Sequence, residues 1–257
     1  MKPPFRFQQF EVRDQGSAMK IGTDGVLLGS WAPVRDAQRI VDVGTGSGLI
    51  ALMIGQRTVA SQAIVSAIDI DVDAAQQALE NFSASPWRDR LPCQLSQIHE
   101  SLQGFALKSD TGSRFDLAVC NPPYFSNAYL PSGDARTVAR HTSQLPRESL
   151  FLHSFQILSS TGRLCLVLPY NQAEATNKIA GEAGFRLFSR TDVRPNPQGE
   201  PKRVLLEFGK QPIDQGTRFD HEPSHRELVV ETSRNQFTAE YQALTQDFHL
   251  RFAKERE

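Results

Sequence analysis

Between residues 39 and 210 the chain alternates short, almost wholly apolar runs with stretches whose apolar residues recur every three or four positions. The first pattern predicts strands buried on both faces and the second amphipathic helices; their alternation predicts an α/β fold with a parallel sheet covered on both sides. Strands are expected at Arg39–Val43, Ile64–Ile68, Phe115–Cys120 and Arg163–Leu168, with a weaker candidate at Cys93–Ile98. Helical spacing joins Ala74, Ala75, Ala78, Leu79 and Phe82, and again Leu150, Phe151, Phe155 and Leu158. The runs Phe185–Phe188 and Val204–Phe208 flank a turn cluster at Pro195–Gly199, which predicts an antiparallel hairpin at the sheet edge. Phe237, Tyr241, Leu244 and Phe248 fall at i, i+4, i+7 and i+11, the pattern of a last helix packing back.

At 257 residues and 39% apolar content the chain can bury a substantial core, which excludes a disordered or collagen-like protein. One domain is expected, with a leader over 1–38, a core over 39–210 and an extension over 211–257. The 28 basic and 29 acidic residues sum to −1, so any nucleic-acid contact must come from a local patch. Cys93, Cys120 and Cys165 contain no Cys-x-x-Cys pair and read as reduced core thiols. No metal site, membrane span or obligate protein partner is expected, and the opening Met1 to Arg6 lacks a secretory h-region, so the cytoplasm is the expected location.

The first strand runs into Asp42-Val43-Gly44-Thr45-Gly46-Ser47-Gly48 and then a helix starting Leu49-Ile50-Ala51. Glycines there let the backbone turn sharply and let a ligand approach where a Cβ would obstruct it. A dinucleotide fingerprint needs its third glycine where Leu49 stands, and here the acid precedes the glycines, which argues against a nicotinamide oxidoreductase. Asp69 ends the second strand about twenty residues on, where a carboxylate can accept both ribose hydroxyls. Asp71 competes for that role, and Asp69 could instead merely cap the next helix. This arrangement resembles motif I of class I S-adenosylmethionine-dependent methyltransferases. The resemblance implies that Gly44, Gly46 and Gly48 pass close to the methionine and ribose of S-adenosyl-L-methionine, with Asp42 orienting the loop or meeting the ammonium group.

Asn121-Pro122-Pro123-Tyr124-Phe125 follows the strand ending at Cys120, at the carboxyl edge where open α/β sheets bind ligands. An exocyclic amine on an aromatic ring, or a carboxamide nitrogen, is a poor nucleophile, because its lone pair is delocalised. Methyl transfer to it needs acceptors for the charge developing on nitrogen. The Asn121 side-chain oxygen and the Pro122 carbonyl can accept its two N–H bonds. The two prolines stiffen that carbonyl, while Tyr124 stacks on the base and Phe125 lines the pocket. His141 is a candidate proton relay.

Ahead of the sheet, Met19 to Trp31, with Phe5-Arg6-Phe7-Gln8-Gln9-Phe10 before it, resembles the leader of a bacterial family of tRNA adenine-N6 methyltransferases, and the resemblance runs through essentially the whole chain. It implies a Rossmann-like fold with a mostly parallel seven-stranded sheet, S-adenosyl-L-methionine as methyl donor, and tRNA as substrate, with adenine-37 of a valine tRNA as the target. It also implies that Lys20, Thr23 and Asp24 border the methionine end of the cofactor, that Asn121 touches it as well, and that Ser101 stands where many relatives carry an acid beside the adenine. Arg186, Arg190, Arg194, Lys202 and Arg203, with Arg136, Arg140 and Arg147 beyond the catalytic loop, are candidate phosphate contacts; a solvated hairpin face is the alternative. Protein glutamine N5 methylation, DNA adenine or rRNA guanine methylation, and a noncatalytic RNA-binding module remain open on the residues alone.

Overall fold

The computed structural model describes residues 3–15, 20–90, 101–108, 114–123, 145–210 and 222–253. In chain order the strands are β1 (Phe5–Arg6), β2 (Glu11–Val12), β3 (Arg39–Val43), β4 (Ile64–Ile68), β5 (Phe115–Cys120), β6 (Leu158–Pro169), β7 (Phe185–Arg194), β8 (Arg203–Lys210), β9 (Ser224–Val229), β10 (Glu231–Ser233) and β11 (Gln236–Phe237). The helices are α1 (Thr23–Trp31), α2 (Leu49–Arg57), α3 (Val72–Ser83), α4 (Leu102–Lys108), α5 (Arg147–Ile157), α6 (Ala173–Glu182) and α7 (Ala239–Thr245). All four main expected strands form. The weaker candidate at 93–98 lies outside the described residues.

The seven-stranded sheet has the order β4-β3-β5-β6-β8-β7-β9. Strands β4, β3, β5 and β6 are mutually parallel, and β8 runs antiparallel between β6 and β7. The expected hairpin is therefore β7–β8, and β9, which periodicity did not reveal, pairs parallel to β7 outside it. With three of its six residues exposed and only Leu228 buried, β9 lacks the apolar run that marks a central strand.

Each face of the sheet buries its own apolar layer. Leu27 and Leu28 of α1, Leu52 and Met53 of α2 and Phe82 of α3 pack on one face, together with Phe7 and Phe10 of the leader and Phe248 of the tail. On the other, Leu150 and Phe151 of α5 meet Phe185 and Phe208. The helix of α5 stops at Ile157. Leu158, expected on its apolar stripe, instead turns into extended backbone and pairs with Phe115. The last helix is also shorter than its periodicity suggests. The Thr238 hydroxyl caps it by accepting the Tyr241 amide at 3.1 Å, which leaves Phe237 in β11 with its ring stacked on Tyr241. The extension nevertheless packs back: the Gln8 amide donates to the Phe248 carbonyl at 3.0 Å. Cys120 and Cys165 are buried free thiols.

Phe151 is fully buried and meets the Phe185 and Phe208 rings edge-on at 5.7 and 5.3 Å between centroids. Phe151→Ala is expected to lower the unfolding free energy by about 3–5 kcal/mol, measured by urea denaturation.

Candidate active site

Register brings three of the predicted site residues to one edge. Val43 of β3 pairs with Ile68 on one side and Cys120 on the other, so Gly44, Asp69 and Asn121 each lie one residue beyond neighbouring strand ends. Gly44, Gly46 and Gly48 take φ of +68°, +57° and +80°, a left-handed backbone that a Cβ would strain. Gly48 caps α2 without a side chain. The buried Asp42 carboxylate substitutes: one oxygen accepts the Thr45 hydroxyl at 2.7 Å and the Ala51 amide, an otherwise orphaned donor of the first turn, at 3.2 Å. Asp42 thus orients the loop. Burial pushes its carboxyl up to about 7, against the lowering effect of the Thr45 and Ala51 hydrogen bonds, and Asp69 adds a smaller upward push.

The two glycines at the ends of the loop face different surroundings. A Cβ on Gly48 would stand 2.5 Å from the Phe82 ring, so this glycine is fixed by packing against α3. A Cβ on Gly44 would meet nothing within 4 Å, and the residue is exposed, leaving open space above the strand ends. Asp69 borders that space. Its carboxylate accepts the Gly46 amide at 2.8 Å and the Asp71 amide at 2.9 Å. Asp71, by contrast, caps α3 by accepting the amides of Asp73 and Ala74. The helix-capping role therefore goes to Asp71 and leaves Asp69 tied to the loop. Across the edge, Asn121 Oδ1 is buried and has no hydrogen-bond partner among the described residues. An open glycine turn, a carboxylate beside it and an orphaned carbonyl oxygen fit a nucleoside-bearing cofactor and an amine.

The leader reaches this edge through α1. A Cβ on Gly25 would lie 3.0 Å from Leu49 Cδ2, so the start of α1 rests on the first turn after the glycine loop. Thr23 is the first residue of that helix, Asp24 holds Arg203 of β8 at 2.8 Å, and Lys20 donates to the Asp14 carbonyl at 2.7 Å. Ser101 caps α4, its hydroxyl accepting the Gly104 amide at 3.1 Å. Tyr124, Phe125, Arg136, Arg140 and His141 lie outside the described residues.

Sequence reading overlooked Asn81. It is 4% exposed on α3; its Nδ2 donates to the carbonyls of Ser47 and Arg13, both at 2.8 Å, and its Oδ1 accepts the Arg13 amide at 3.0 Å. One amide thus fastens the leader to the glycine loop. The available signal was an asparagine at the i+3 position from Ala78, inside the apolar stripe.

The hairpin's basic excess is largely cancelled. Arg190 pairs with Asp192 and Glu174, Arg194 with Glu227, and Arg203 with Asp24. The partners Asp24, Glu174 and Glu227 come from outside the hairpin, so counting charges along it could not expose the pairing. Arg147 donates to Gln172 beyond the end of β6. Among the described residues, no group of three or more His, Cys, Asp or Glu is placed to hold a metal ion, and no helix is long and apolar enough to cross a membrane.

The parallel sheet, antiparallel hairpin and glycine turn at the strand ends define a class I S-adenosylmethionine-dependent methyltransferase. Residues 17–183 match the family model of the methyltransferase small domain. The fold is similar to that of a predicted O-methyltransferase from Agrobacterium tumefaciens, with a TM-score of 0.56 and 20% identity over 88% of this chain and 96% of that one. It is also similar to a Listeria monocytogenes chain assigned to the class I S-adenosylmethionine-dependent methyltransferases, with a TM-score of 0.51 and 13% identity over 86% and 68% of the two chains. Much closer in sequence are two proteins named tRNA1(Val) (adenine(37)-N6)-methyltransferase. One, from Trichodesmium erythraeum, is 38% identical over 96% of this chain and 98% of its own; the other, from Parabacteroides distasonis, is 39% identical over 97% and 98%. The chain belongs to the tRNA1(Val) (adenine(37)-N6)-methyltransferase family.

Two outcomes are expected. Between the ordinary carboxylate pKa and about 7, Asp42 is protonated in the folded chain but ionised in the unfolded one. Its contribution to stability is therefore present at low pH and lost as pH rises to about 7. Asp42→Asn should remove that slope, which approaches about 1.4 kcal/mol per pH unit for one proton, in melting curves recorded from pH 5 to 8. Asn81→Ala should weaken S-adenosylhomocysteine binding by roughly tenfold, about 1.4 kcal/mol for the lost loop contacts, measured by calorimetry.

Proposed function

We propose that this enzyme methylates the exocyclic N6 amine of an adenine in tRNA, with adenine-37 of a valine tRNA as its target, in the cytoplasm. The observation that carries the chemistry is the buried Asn121 Oδ1 one residue past β5, without a hydrogen-bond partner among the described residues, beside the open space over Gly44. The choice of substrate rests on the full-length kinship with proteins named for that reaction.

When bound, S-adenosylmethionine supplies a methyl carbon made electrophilic by its sulfonium. Asp69 accepts the ribose hydroxyls through lone pairs that its bonds to Gly46 and Asp71 leave over. Gly44, Gly46 and Gly48 line the cofactor's path, while Asp42 fixes the loop. Lys20, Thr23 and Asp24 would border its methionine end, and Ser101 would meet its adenine. Asn121 Oδ1 and the Pro122 carbonyl would accept the two N–H bonds of the target amine and aim its lone pair, and Tyr124, the aromatic residue of that motif, would stack on the base. These acceptors gain strength as positive charge grows on nitrogen, so they favour the transition state over the ground state. Leader, core and extension act as one domain.

Incubation of the enzyme with labelled cofactor and, separately, tRNA, rRNA and a release-factor protein tests the assignment. Label in tRNA, digested to N6-methyladenosine at a single position, is expected; label only in protein overturns the reading. Asn121→Ala should lower kcat by about 10²–10³-fold, with cofactor affinity changed only a few-fold. Asn121→Asp, which keeps an acceptor oxygen, should retain more activity than the alanine variant.

A further inference from the structure

A cavity of about 440 Å³ lies at the other end of the sheet, lined by Trp31, Pro33, Arg163, Phe188, Ser189, Glu207, Ser224 and Arg226. Arg163 lies midway along β6, Phe188 and Ser189 midway along β7, and Ser224 opens β9, whereas the active site follows the ends of β3, β4 and β5. Asn121 is one residue past the Cys120–Leu166 pair and Arg163 three before it, an offset of four residues, roughly 13 Å along the strands.

Its lining is ordered. The Arg163 guanidinium lies 3.8 Å from the Phe188 ring centroid and pairs with Glu207, whose side chain is 13% exposed. Phe188 lies flat on β8 because residue 209 is glycine; a Cβ there would stand 2.5 Å from the ring. The Trp31 indole is fixed by its N–H donating to the Thr191 hydroxyl at 3.1 Å, and the Ser224 hydroxyl donates to that of Ser189 at 3.0 Å. Arg226 is exposed, with no carboxylate partner among the described residues, unlike Arg190, Arg194 and Arg203 on the same hairpin side of the sheet.

We propose that this cavity is a second RNA-binding site, taking one unpaired base with its phosphate. Flat bases stack on indole rings and on guanidinium planes, both of which line the cavity. Glu207 and the two serine hydroxyls supply hydrogen-bonding groups for a base edge, and Arg226 supplies a cation for phosphate. Because the cavity stands apart from the transfer site, it would hold a nucleotide other than the one methylated and so contribute to choosing the RNA. The inference rests on the proposed RNA substrate.

The test uses the full chain, unmodified tRNA transcript and free GMP, AMP and CMP. Arg226→Glu reverses the charge at the cavity, and Ser224→Trp fills it; circular dichroism and melting curves select folded protein. Each variant should raise KM for tRNA by roughly tenfold, the scale of one stacked base, with S-adenosylhomocysteine affinity unchanged. Arg226→Glu should also flatten the salt dependence of RNA binding. A KM within twofold of wild type in both folded variants overturns the proposal, as does binding of mononucleotides that leaves tRNA affinity untouched. Failure of the wild-type enzyme to label tRNA overturns the proposed function instead, and the cavity is then judged on filter binding of RNA by the same variants.

Discussion

The site depends on a backbone that cannot hold its shape unaided. Three glycines between β3 and α2 take the left-handed region, and their amides donate to the Ile68 carbonyl, the Asp69 carboxylate and the Thr45 carbonyl. Two carboxylates bind that turn: Asp42 through Thr45 and Ala51, and Asp69, just past the neighbouring strand, through Gly46. The parallel register sets both acids and Asn121 by the same strand-end geometry, so correct pairing of β4, β3 and β5 assembles the site. Asn81 extends the arrangement to the leader, so the segment before the sheet and the loop within it share one side chain.

Much of this was legible in the sequence because strands buried on both faces leave uninterrupted apolar runs. The bounds of Arg39–Val43, Ile64–Ile68 and Phe115–Cys120 follow from that pattern, and the glycine turn and Asn121 follow from their positions at strand ends. What escaped depends on contacts distant in sequence. The half-solvated β9 has no apolar run, Leu158 exchanges helix for strand to meet Phe115, and Asn81 shows its role only once Arg13 and Ser47 are brought to it. Asp69 and Asp71 are chemically equivalent in the sequence; only hydrogen bonding separates the loop anchor from the helix cap.

The hairpin arginines carry a similar lesson about charge. Five basic residues between 186 and 203 suggest a phosphate-binding lobe, yet three of them face carboxylates, two held by acids from α1 and α6 and one by an acid from β9. Such pairs knit the hairpin to the rest of the sheet and to α1. Arg226 of β9, an exposed cation with no carboxylate partner among the described residues, sits beside a ring-lined cavity. An RNA-binding surface in a chain with a net charge of −1 is then a matter of which few cations lack partners rather than of total charge.

The amine acceptor is the central claim, and a complex with S-adenosylhomocysteine and an adenosine-bearing RNA stem-loop tests it most directly, through the distance from Asn121 Oδ1 to the adenine N6. A separation of about 3 Å, with the ribose of the cofactor product on Asp69, is the expected result. An N6 beyond hydrogen-bonding reach, with Asn121 Oδ1 satisfied by a protein donor, would contradict it.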